Sequence, residues 1–238
     1  SAPGYIDPHS GFITMGGAIR RFDNFAMKAW LEARTGLPVS VENDANCVLL
    51  AERWQGKAAE MANFLVLTIG TGIGGAIFCQ HQLINGARFR AGEFGYMLTD
   101  RPGGRDPRRY SMNENCTLRV LRHRYAQHIG APLDSVTGEL IFDRYDAGDP
   151  VCQRLVAEFF NGLGHGLYNL VHIFDPQTIF IGGGVVERPG FLTLLRQHLA
   201  WFGIADYLDT VSHGNDAGLI GAVYHFNQLY RSPDDDRH

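Results

Sequence analysis

Clustered cysteines, a surplus of basic charge and long apolar runs are all missing from this sequence. The four cysteines lie far apart and form no C-x-x-C pair, although structural zinc sites usually contain such close pairs. Lys and Arg number 21 against 25 Asp and Glu, a formal net charge of −4, which argues against a broad nucleic-acid surface because phosphate contacts need clustered cations. No apolar run approaches the ~18 residues of a membrane span. We therefore expect a cytoplasmic protein with free thiols, and neither nucleic acid nor membrane as a partner.

Predicted strands and helices alternate along the chain, and this alternation favours an α/β fold. The first predicted helix begins at Asp23 or Asn24 and ends at Gly36, and a short strand then covers residues 37–42. The later predicted elements are a helix that ends at Gly56, a strand at 63–70, helices at 112–129 and 149–174, a strand with a glycine turn and helix from 175, a strand at 208–212 and a helix at 217–230.

Three glycines, Gly162, Gly164 and Gly166, lie inside the predicted long helix. Each costs a helix about 1 kcal/mol relative to alanine. A cost repeated three times indicates that another backbone packs closely against this helix.

The stretch TIGTGIGGAIF contains Gly70, Gly72 and Gly75 in the pattern G-x-G-x-x-G, with Glu93 further along. This pattern is typical of a dinucleotide-binding turn, which requires a helix directly after the glycines. The residues that follow here are poor helix formers and favour a second strand, so we predict a hairpin. Its glycines can direct backbone N–H groups at a phosphate; a plain glycine hairpin without a ligand is the alternative.

The segment VENDANC places Asn43 and Asp44 where a predicted strand ends and a helix begins. Asn and Asp are favoured helix N-caps, and capping alone explains them. The alternative is catalysis, because a carboxylate at a helix N-terminus stays ionised and can accept the proton of a substrate hydroxyl. The residues alone leave both interpretations open.

Two further glycine-containing segments are candidates for ligand contacts. In AGEFGYM, Glu93 lies between glycines. Its carboxylate is suited to accept hydrogen bonds from the vicinal hydroxyls of a sugar; the alternative is that Glu93 is part of a surface turn. In IFIGGGVV, a buried strand leads into Gly182, Gly183 and Gly184, an open place for a flat ring or a phosphate.

In this order and spacing, these segments resemble the ROK family of bacterial sugar kinases and related repressors. The resemblance rests on SAPGYIDPHSG, ENDAN, TIGTGIGGAI, GEFGYM, DPQTIFIGGGV and DAGLIGAV, and so extends over nearly the whole chain. It implies an α/β fold of the actin-like ATPase (ribonuclease H-like) type, with two α/β domains around a cleft. The smaller domain would comprise residues 1–48 and 222–238, and the larger domain residues 49–221. This resemblance disfavours the dinucleotide-binding interpretation of the first glycine segment, which would have indicated a dehydrogenase.

The resemblance also implies roles for individual residues. Asp44 would be the base that deprotonates a sugar hydroxyl, Asn43 and Glu93 would hold sugar hydroxyls, and Gly16 and Gly17 would line that pocket. The phosphates of ATP, bridged by Mg²⁺, would lie against Gly70, Thr71, Gly72 and Gly74. The adenosine would lie against Gly182, Gly183 and Gly184. Homodimers are usual in the family.

The sequence departs from the family pattern at the zinc motif. Tyr96 stands at the position of a zinc-binding His, Cys116 is the lone candidate cysteine and Leu118 replaces a Glu. We therefore predict no zinc, and we assign no metal-ligating residue in this chain. This departure makes the chain most similar to the β-glucoside kinases, which phosphorylate the 6-hydroxyl of glucosyl residues in sugars such as cellobiose. The alternatives are a glucokinase, an N-acetylmannosamine kinase or a non-catalytic repressor of the same family.

A second departure lies at the start of the chain. It opens on SAPGYIDPHSG without Met, and the family's first phosphate motif, D-x-G-G-T, is absent. We therefore expect that upstream sequence is missing, that the parent protein is a kinase, and that this chain alone has little activity.

Overall fold

Eight strands and eight α-helices account for the regular structure of residues 1–101, 103–104 and 106–230, which a computed structural model describes. The strands are β1 (Tyr5–Asp7), β2 (Phe12–Met15), β3 (Phe25–Ala26), β4 (Phe64–Ile69), β5 (Ile73–Cys79), β6 (Gln82–Leu83), β7 (Thr178–Gly182) and β8 (Leu208–Thr210). The helices are α1 (Met27–Thr35), α2 (Asp44–Gln55), α3 (Met112–Asn115), α4 (Leu118–Ile129), α5 (Gly138–Asp146), α6 (Pro150–Phe174), α7 (Phe191–Leu199) and α8 (Ala217–Tyr230).

The strands form two sheets. The first has the order β1-β2-β3 and is antiparallel, with Ile6 opposite Ile13. The second has the order β6-β5-β4-β7-β8, in which β5 and β6 are antiparallel and β7 and β8 run parallel. The mixed sheet and the interspersed helices confirm the predicted α/β class.

The chain divides into two compact units. The first contains residues 1–66, 76–92 and the described residues from 211 onward, and the second contains 67–75 and 93–210. Residues 49–66 and 76–92 thus group with 1–48, which differs from the division that the sequence analysis expects. That division of the domains remains a prediction.

The first unit is built around the packing of α2 on α8. Gly221 of α8 lies so close to α2 that a β-carbon there would overlap the carbonyl oxygen of Cys47. Near the other end of α2, the fully buried Glu52 accepts a hydrogen bond from Ser212 Oγ at 2.8 Å. The closest approach of the two helices therefore depends on glycine.

The second unit is organised by α6, a helix of 25 residues. Asp149 caps it by accepting hydrogen bonds from the N–H groups of Val151 and Cys152. Side chains fill the space above its three glycines: Cys116 lies over Gly162, Phe202 and Leu199 over Gly164, and Met112 over Gly166. The prediction of a closely packed backbone was therefore wrong, because bulky side chains from other segments occupy those positions.

Three predicted elements differ in the structure. Helix α1 begins at Met27 rather than at Asp23 or Asn24, because Phe25 and Ala26 pair with β2 as β3. Residues 37–42 form no strand; the segment lies beside the N-terminal end of the chain, where Val41 packs with Ala2 and the N–H of Ala2 donates to the carbonyl of Glu42 at 3.0 Å. The predicted helix at 112–129 is two helices, because Thr117 caps α4 by accepting a hydrogen bond from the N–H of Val120. Ile129, the last residue of α4, is 43% exposed. Within the described ranges, no helix has both the length and the hydropathy of a membrane span.

The glycine contact between α2 and α8 gives a test of the packing. We expect Gly221→Ala to lower the free energy of unfolding by about 1–3 kcal/mol, because the added methyl group overlaps a backbone carbonyl that cannot move independently. Thermal denaturation followed by circular dichroism measures the change.

Gly218→Ala is the matched control on the same helix, since a β-carbon there meets only Ser1 Oγ at 3.6 Å. It should leave the melting temperature unchanged or raise it, because alanine favours the helix. Equal melting temperatures for the two variants would contradict the packing argument.

Candidate active site

The side chain of Asn43 connects α2 to the turn before β1. Its Oδ1 accepts hydrogen bonds from the N–H groups of Ala45 at 2.9 Å and Asn46 at 3.1 Å, which makes it the N-cap of α2. Its Nδ2 donates to the carbonyl of Gly4 at 3.0 Å. The capping interpretation is therefore correct for Asn43, and one hydrogen of the Nδ2 group remains for another acceptor.

Asp44 is the first residue of α2, and its side chain reaches solvent. Its Oδ1 accepts a hydrogen bond from the N–H of Ala45 at 2.9 Å. Although the residue is exposed, the protein atoms around the carboxyl group desolvate it, and this burial raises the pKa of Asp44 above its ordinary value despite the backbone hydrogen bonds. The expectation that Asp44 stays ionised at the helix N-terminus remains a prediction. A raised pKa makes the carboxylate a stronger base.

Backbone without side chains borders Asn43. Gly4 has a φ of +102° and leaves no room for a β-carbon against the carbonyl of Met15. Gly16 is equally close to the carbonyl of Ile19, and a β-carbon on Gly17 would lie 3.3 Å from the nitrogen of Gly4. The first unit thus brings Asn43, Gly16 and Gly17 together around Gly4, which the sequence analysis did not single out.

Glu42 holds the backbone that leads into Asp44. It is 2% exposed, and its Oε1 accepts from the N–H of Asn43 at 2.6 Å and from Asn46 Nδ2 at 2.9 Å. Its Oε2 faces His225 Nδ1 at 4.0 Å, and among the described residues neither Glu42 Oε2 nor His225 Nε2 has a hydrogen-bond partner. Burial raises the pKa of Glu42. The sequence analysis quoted Glu42 within ENDAN but gave it no role.

The glycine segment of the second unit is the turn of a hairpin. β4 ends at Ile69 and β5 begins at Ile73, so the prediction of strand, glycine turn and strand is confirmed. The N–H of Gly70 donates to the carbonyl of Gly72 at 2.9 Å. Thr71 and Gly72 are exposed, and no atom lies within 4 Å of a β-carbon built on Gly70. The turn is open and has room for an anion, and Gly74 continues into β5.

The second glycine segment packs against the end of β4. Gly183 has a φ of +96°, and a β-carbon there would overlap the carbonyl oxygen of Ile69. Gly182 is the buried last residue of β7, whereas Gly184 is exposed with nothing near a β-carbon. The structure therefore brings Gly182–Gly184 next to the start of the turn at Gly70.

Glu93 lies on a segment that contacts the other end of the same turn. It is half-buried and precedes a 3₁₀ turn at Phe94–Tyr96. A β-carbon on Gly95 would lie 2.5 Å from the carbonyl of Ile73 and would overlap Asn113 Nδ2. Asn113 Oδ1 in turn accepts from the N–H of Ile73 at 2.7 Å. Asn113 was missed, because it lies in a segment that the sequence analysis compared only with the zinc motif.

The positions of the zinc motif hold other contacts. Tyr96 is 48% exposed, and Cys116 is fully buried against Gly162. Burial raises the pKa of the Cys116 thiol to about 11, which disfavours the thiolate that zinc requires. No cluster of three or more potential metal ligands occurs in the described part of the chain. The absence of zinc remains a prediction.

Comparisons with known proteins agree on one family. The ROK family model matches residues 1–228. The chain is 99% identical to the beta-glucoside kinase of Klebsiella pneumoniae over 238 residues, which cover 100% of this chain and 80% of that protein.

Two solved structures extend this comparison. The Lmo2764 protein of Listeria monocytogenes has 58% identity and a TM-score of 0.91, over 96% of this chain and 79% of that one. A ROK family glucokinase from Streptomyces griseus, solved in complex with glucose and AMPPNP, has 25% identity and a TM-score of 0.77, over 92% of this chain and 77% of that one. The chain belongs to the ROK family, has the actin-like ATPase fold and is an ATP-dependent sugar kinase.

Proposed function

We propose that the protein transfers the γ-phosphoryl group of ATP to the 6-hydroxyl of a glucosyl residue, in a β-glucoside such as cellobiose. The observation that carries this proposal is the start of α2, where the carboxyl of Asp44 reaches solvent beside the cap residue Asn43 and burial raises its pKa. The name of the 99% identical relative, beta-glucoside kinase, supports the substrate class.

Asp44 would act as the general base. As the 6-oxygen of the sugar bonds to the γ-phosphorus, the bond from that phosphorus to the β,γ-bridging oxygen breaks and ADP leaves. The proton of the 6-hydroxyl passes to a carboxylate oxygen of Asp44. The hydrogen bond from the N–H of Ala45 to Oδ1 holds the carboxylate in one orientation, and such positioning is a large part of catalysis in phosphoryl transfer.

The two glycine segments would bind ATP. Gly70, Thr71, Gly72 and Gly74 would hold the phosphates, and Gly182–Gly184 would lie against adenosine. The exposed backbone at Thr71 and Gly72 and the empty space at Gly70 and Gly184 fit such a ligand. Mg²⁺ bound to the phosphates would neutralise part of their charge. In nucleotide sites Mg²⁺ is commonly held by the phosphates together with only one or two protein carboxylates.

The remaining candidate residues would contact the sugar. Asn43 would offer the second hydrogen of its Nδ2 group, Glu93 would accept hydroxyl hydrogen bonds, and Gly16 and Gly17 would line the pocket. Leu118 stands where the family's zinc motif has a Glu, so a polar contact typical of the family is missing. We propose that the absence of this contact leaves room for a second glycosyl unit or an aglycone. The homodimer and the division at residues 48/49 and 221/222 stay predictions from the family resemblance, and the cytoplasmic location stays a prediction from the composition.

The substrate class is tested by ATP-dependent phosphorylation of cellobiose, glucose and N-acetylmannosamine. We expect cellobiose to give the highest kcat/KM and a product phosphorylated at a 6-hydroxyl, identified by NMR of the purified product. The assay should use this chain and, in parallel, the Klebsiella pneumoniae relative. A clear preference for glucose or N-acetylmannosamine in both proteins would replace the proposed substrate.

The role of Asp44 is tested by Asp44→Asn, which keeps the shape of the side chain but removes the base. In the Klebsiella pneumoniae relative, which avoids the low activity expected of this chain alone, we expect the equivalent substitution to lower kcat by about 10²–10⁴-fold, the contribution of a general base, with an unchanged circular dichroism spectrum. In the unsubstituted protein kcat/KM should fall with acid as Asp44 is protonated, with an apparent pKa above the ordinary 3.8. Asp134→Asn, on an exposed residue, is the control; retained turnover in Asp44→Asn would remove Asp44 from this role.

Glu42 is tested as a positioning residue by comparing Glu42→Gln with Glu42→Ala. Gln retains the acceptor for Asn43 and Asn46, so we expect near-normal kcat; Ala leaves both donors without it and should lower kcat and the melting temperature. Because the pKa of Glu42 is raised above its ordinary 4.5, its ionisation opposes folding as pH rises above that value.

The stability of Glu42→Gln relative to the unsubstituted protein should therefore improve from about pH 4 to pH 8. Thermal denaturation across this range measures it. A constant difference in melting temperature would show that the pKa of Glu42 is the same in the folded and unfolded states, and would contradict the raised pKa.

A further inference from the structure

Asn113 makes contacts with two segments that the proposed reaction uses. Its Oδ1 accepts from the N–H of Ile73 at 2.7 Å, and Ile73 is the residue at which β5 begins after the glycine turn. The same oxygen lies 3.3 Å from the position of a β-carbon on Gly72. On its other side, the amide nitrogen of Asn113 packs directly on Gly95, two residues after Glu93.

The helix that carries Asn113 is itself firmly held. Met112 is fully buried, with its thioether in the space above Gly166 of α6, and its N–H donates to the carbonyl of Met97 at 2.9 Å. Cys116, directly after α3, is fully buried over Gly162 of the same helix. Two buried side chains one turn apart therefore pack α3 against α6, and this packing holds the backbone that carries Asn113.

We infer that Asn113 is a positioning residue that holds the glycine turn and the Glu93 segment in a fixed relation to each other. This inference rests on the proposed function, in which the turn binds ATP phosphates and Glu93 binds sugar. One planar amide lies between Ile73 and Gly95, so neither segment can shift without displacing it. The side chain of Asn113 thus adds a second link between the turn and the Glu93 segment, beside the direct approach of Gly95 to the carbonyl of Ile73.

The absence of a side chain on Gly95 is required by this arrangement. A β-carbon there would overlap Asn113 Nδ2 and lie 2.5 Å from the carbonyl of Ile73. Removing the Asn113 side chain would leave the N–H of Ile73 without its acceptor, next to a turn made of glycines with many accessible conformations. The turn would then sample conformations that do not bind phosphate, and the fraction of binding-competent protein would fall.

The test compares Asn113→Ala and Asn113→Asp with Asn115→Ala. Asn115 is a matched control on the same helix, because its Nδ2 donates only to nearby carbonyls, those of Arg109 at 3.2 Å and Ser111 at 3.1 Å. Two quantities are measured for each protein: hydrogen exchange of the Ile73 amide by NMR, and the Kd for AMPPNP and for cellobiose by calorimetry. The Klebsiella pneumoniae relative with the equivalent substitutions is measured in parallel.

We expect Asn113→Ala to accelerate exchange of the Ile73 amide and to raise the Kd for AMPPNP by about tenfold, the scale of one lost hydrogen bond. The Kd for cellobiose should rise in the same variant, because the support of the Glu93 segment is lost. Asn113→Asp keeps an acceptor oxygen and should restore most of the Ile73 protection. Asn115→Ala should change none of these values.

Unchanged exchange at Ile73 in Asn113→Ala would overturn the inference. Faster exchange with both Kd values at the unsubstituted level would also overturn it, since Asn113 would then be a purely structural residue. Failure of the proposed function has a different signature, because it would appear as absent sugar phosphorylation in the unsubstituted Klebsiella pneumoniae relative, irrespective of the variants.

Discussion

The amide side chain of Asn43 is the interaction on which the candidate site of the first unit depends. Its oxygen closes the first turn of α2 and its nitrogen holds the carbonyl of Gly4. Gly4 in turn lies against Gly17, so the bare backbone around the site is positioned from the same amide. The backbone of Asp44, the next residue, is positioned by this cap, and its carboxyl group is held in addition by the N–H of Ala45. The cap interpretation and the proposed catalytic interpretation of ENDAN are therefore compatible, because the cap would position the proposed base.

In the second unit, the amide side chain of Asn113 similarly contacts glycine-rich backbone. A planar amide can accept with its oxygen and pack or donate with its nitrogen, and it does so here between a backbone N–H and a glycine. Glycine-rich backbone is conformationally permissive, and a ligand site made of it needs such external contacts to remain in one conformation. In both units, an asparagine on a helix supplies them. The surrounding helices, α2 on α8 and α3 on α6, provide the rigid support.

Much of this could be predicted from the sequence, where local chemistry decides the structure. The start of α2 at ENDAN and the cap of α6 at Asp149 follow from capping preferences. The hairpin at Gly70 follows from strand-forming residues on both sides of the glycines. The failures have different causes. Residues 37–42 have a strand-like composition but pair with no strand among the described residues, and the predicted helix breaks at Thr117 because its side-chain cap competes with helix continuation. The contacts of Asn113, which join residues 40 positions apart, leave no local pattern.

The resemblance of TIGTGIGGAIF to a dinucleotide-binding turn fails for a reason that concerns individual N–H groups. In a Rossmann turn, the glycines lead into a helix whose first N–H groups have no intrahelical acceptor and point at the phosphates. Here the N–H of Gly70 is bonded to the carbonyl of Gly72, and the N–H of Ile73 is bonded to Asn113. In the proposed function, the donors available to a phosphate would therefore be the exposed backbone and hydroxyl at Thr71 and Gly72. The same glycine spacing thus gives a smaller set of donors on a hairpin, and the contact that fixes the turn comes from a side chain outside the motif.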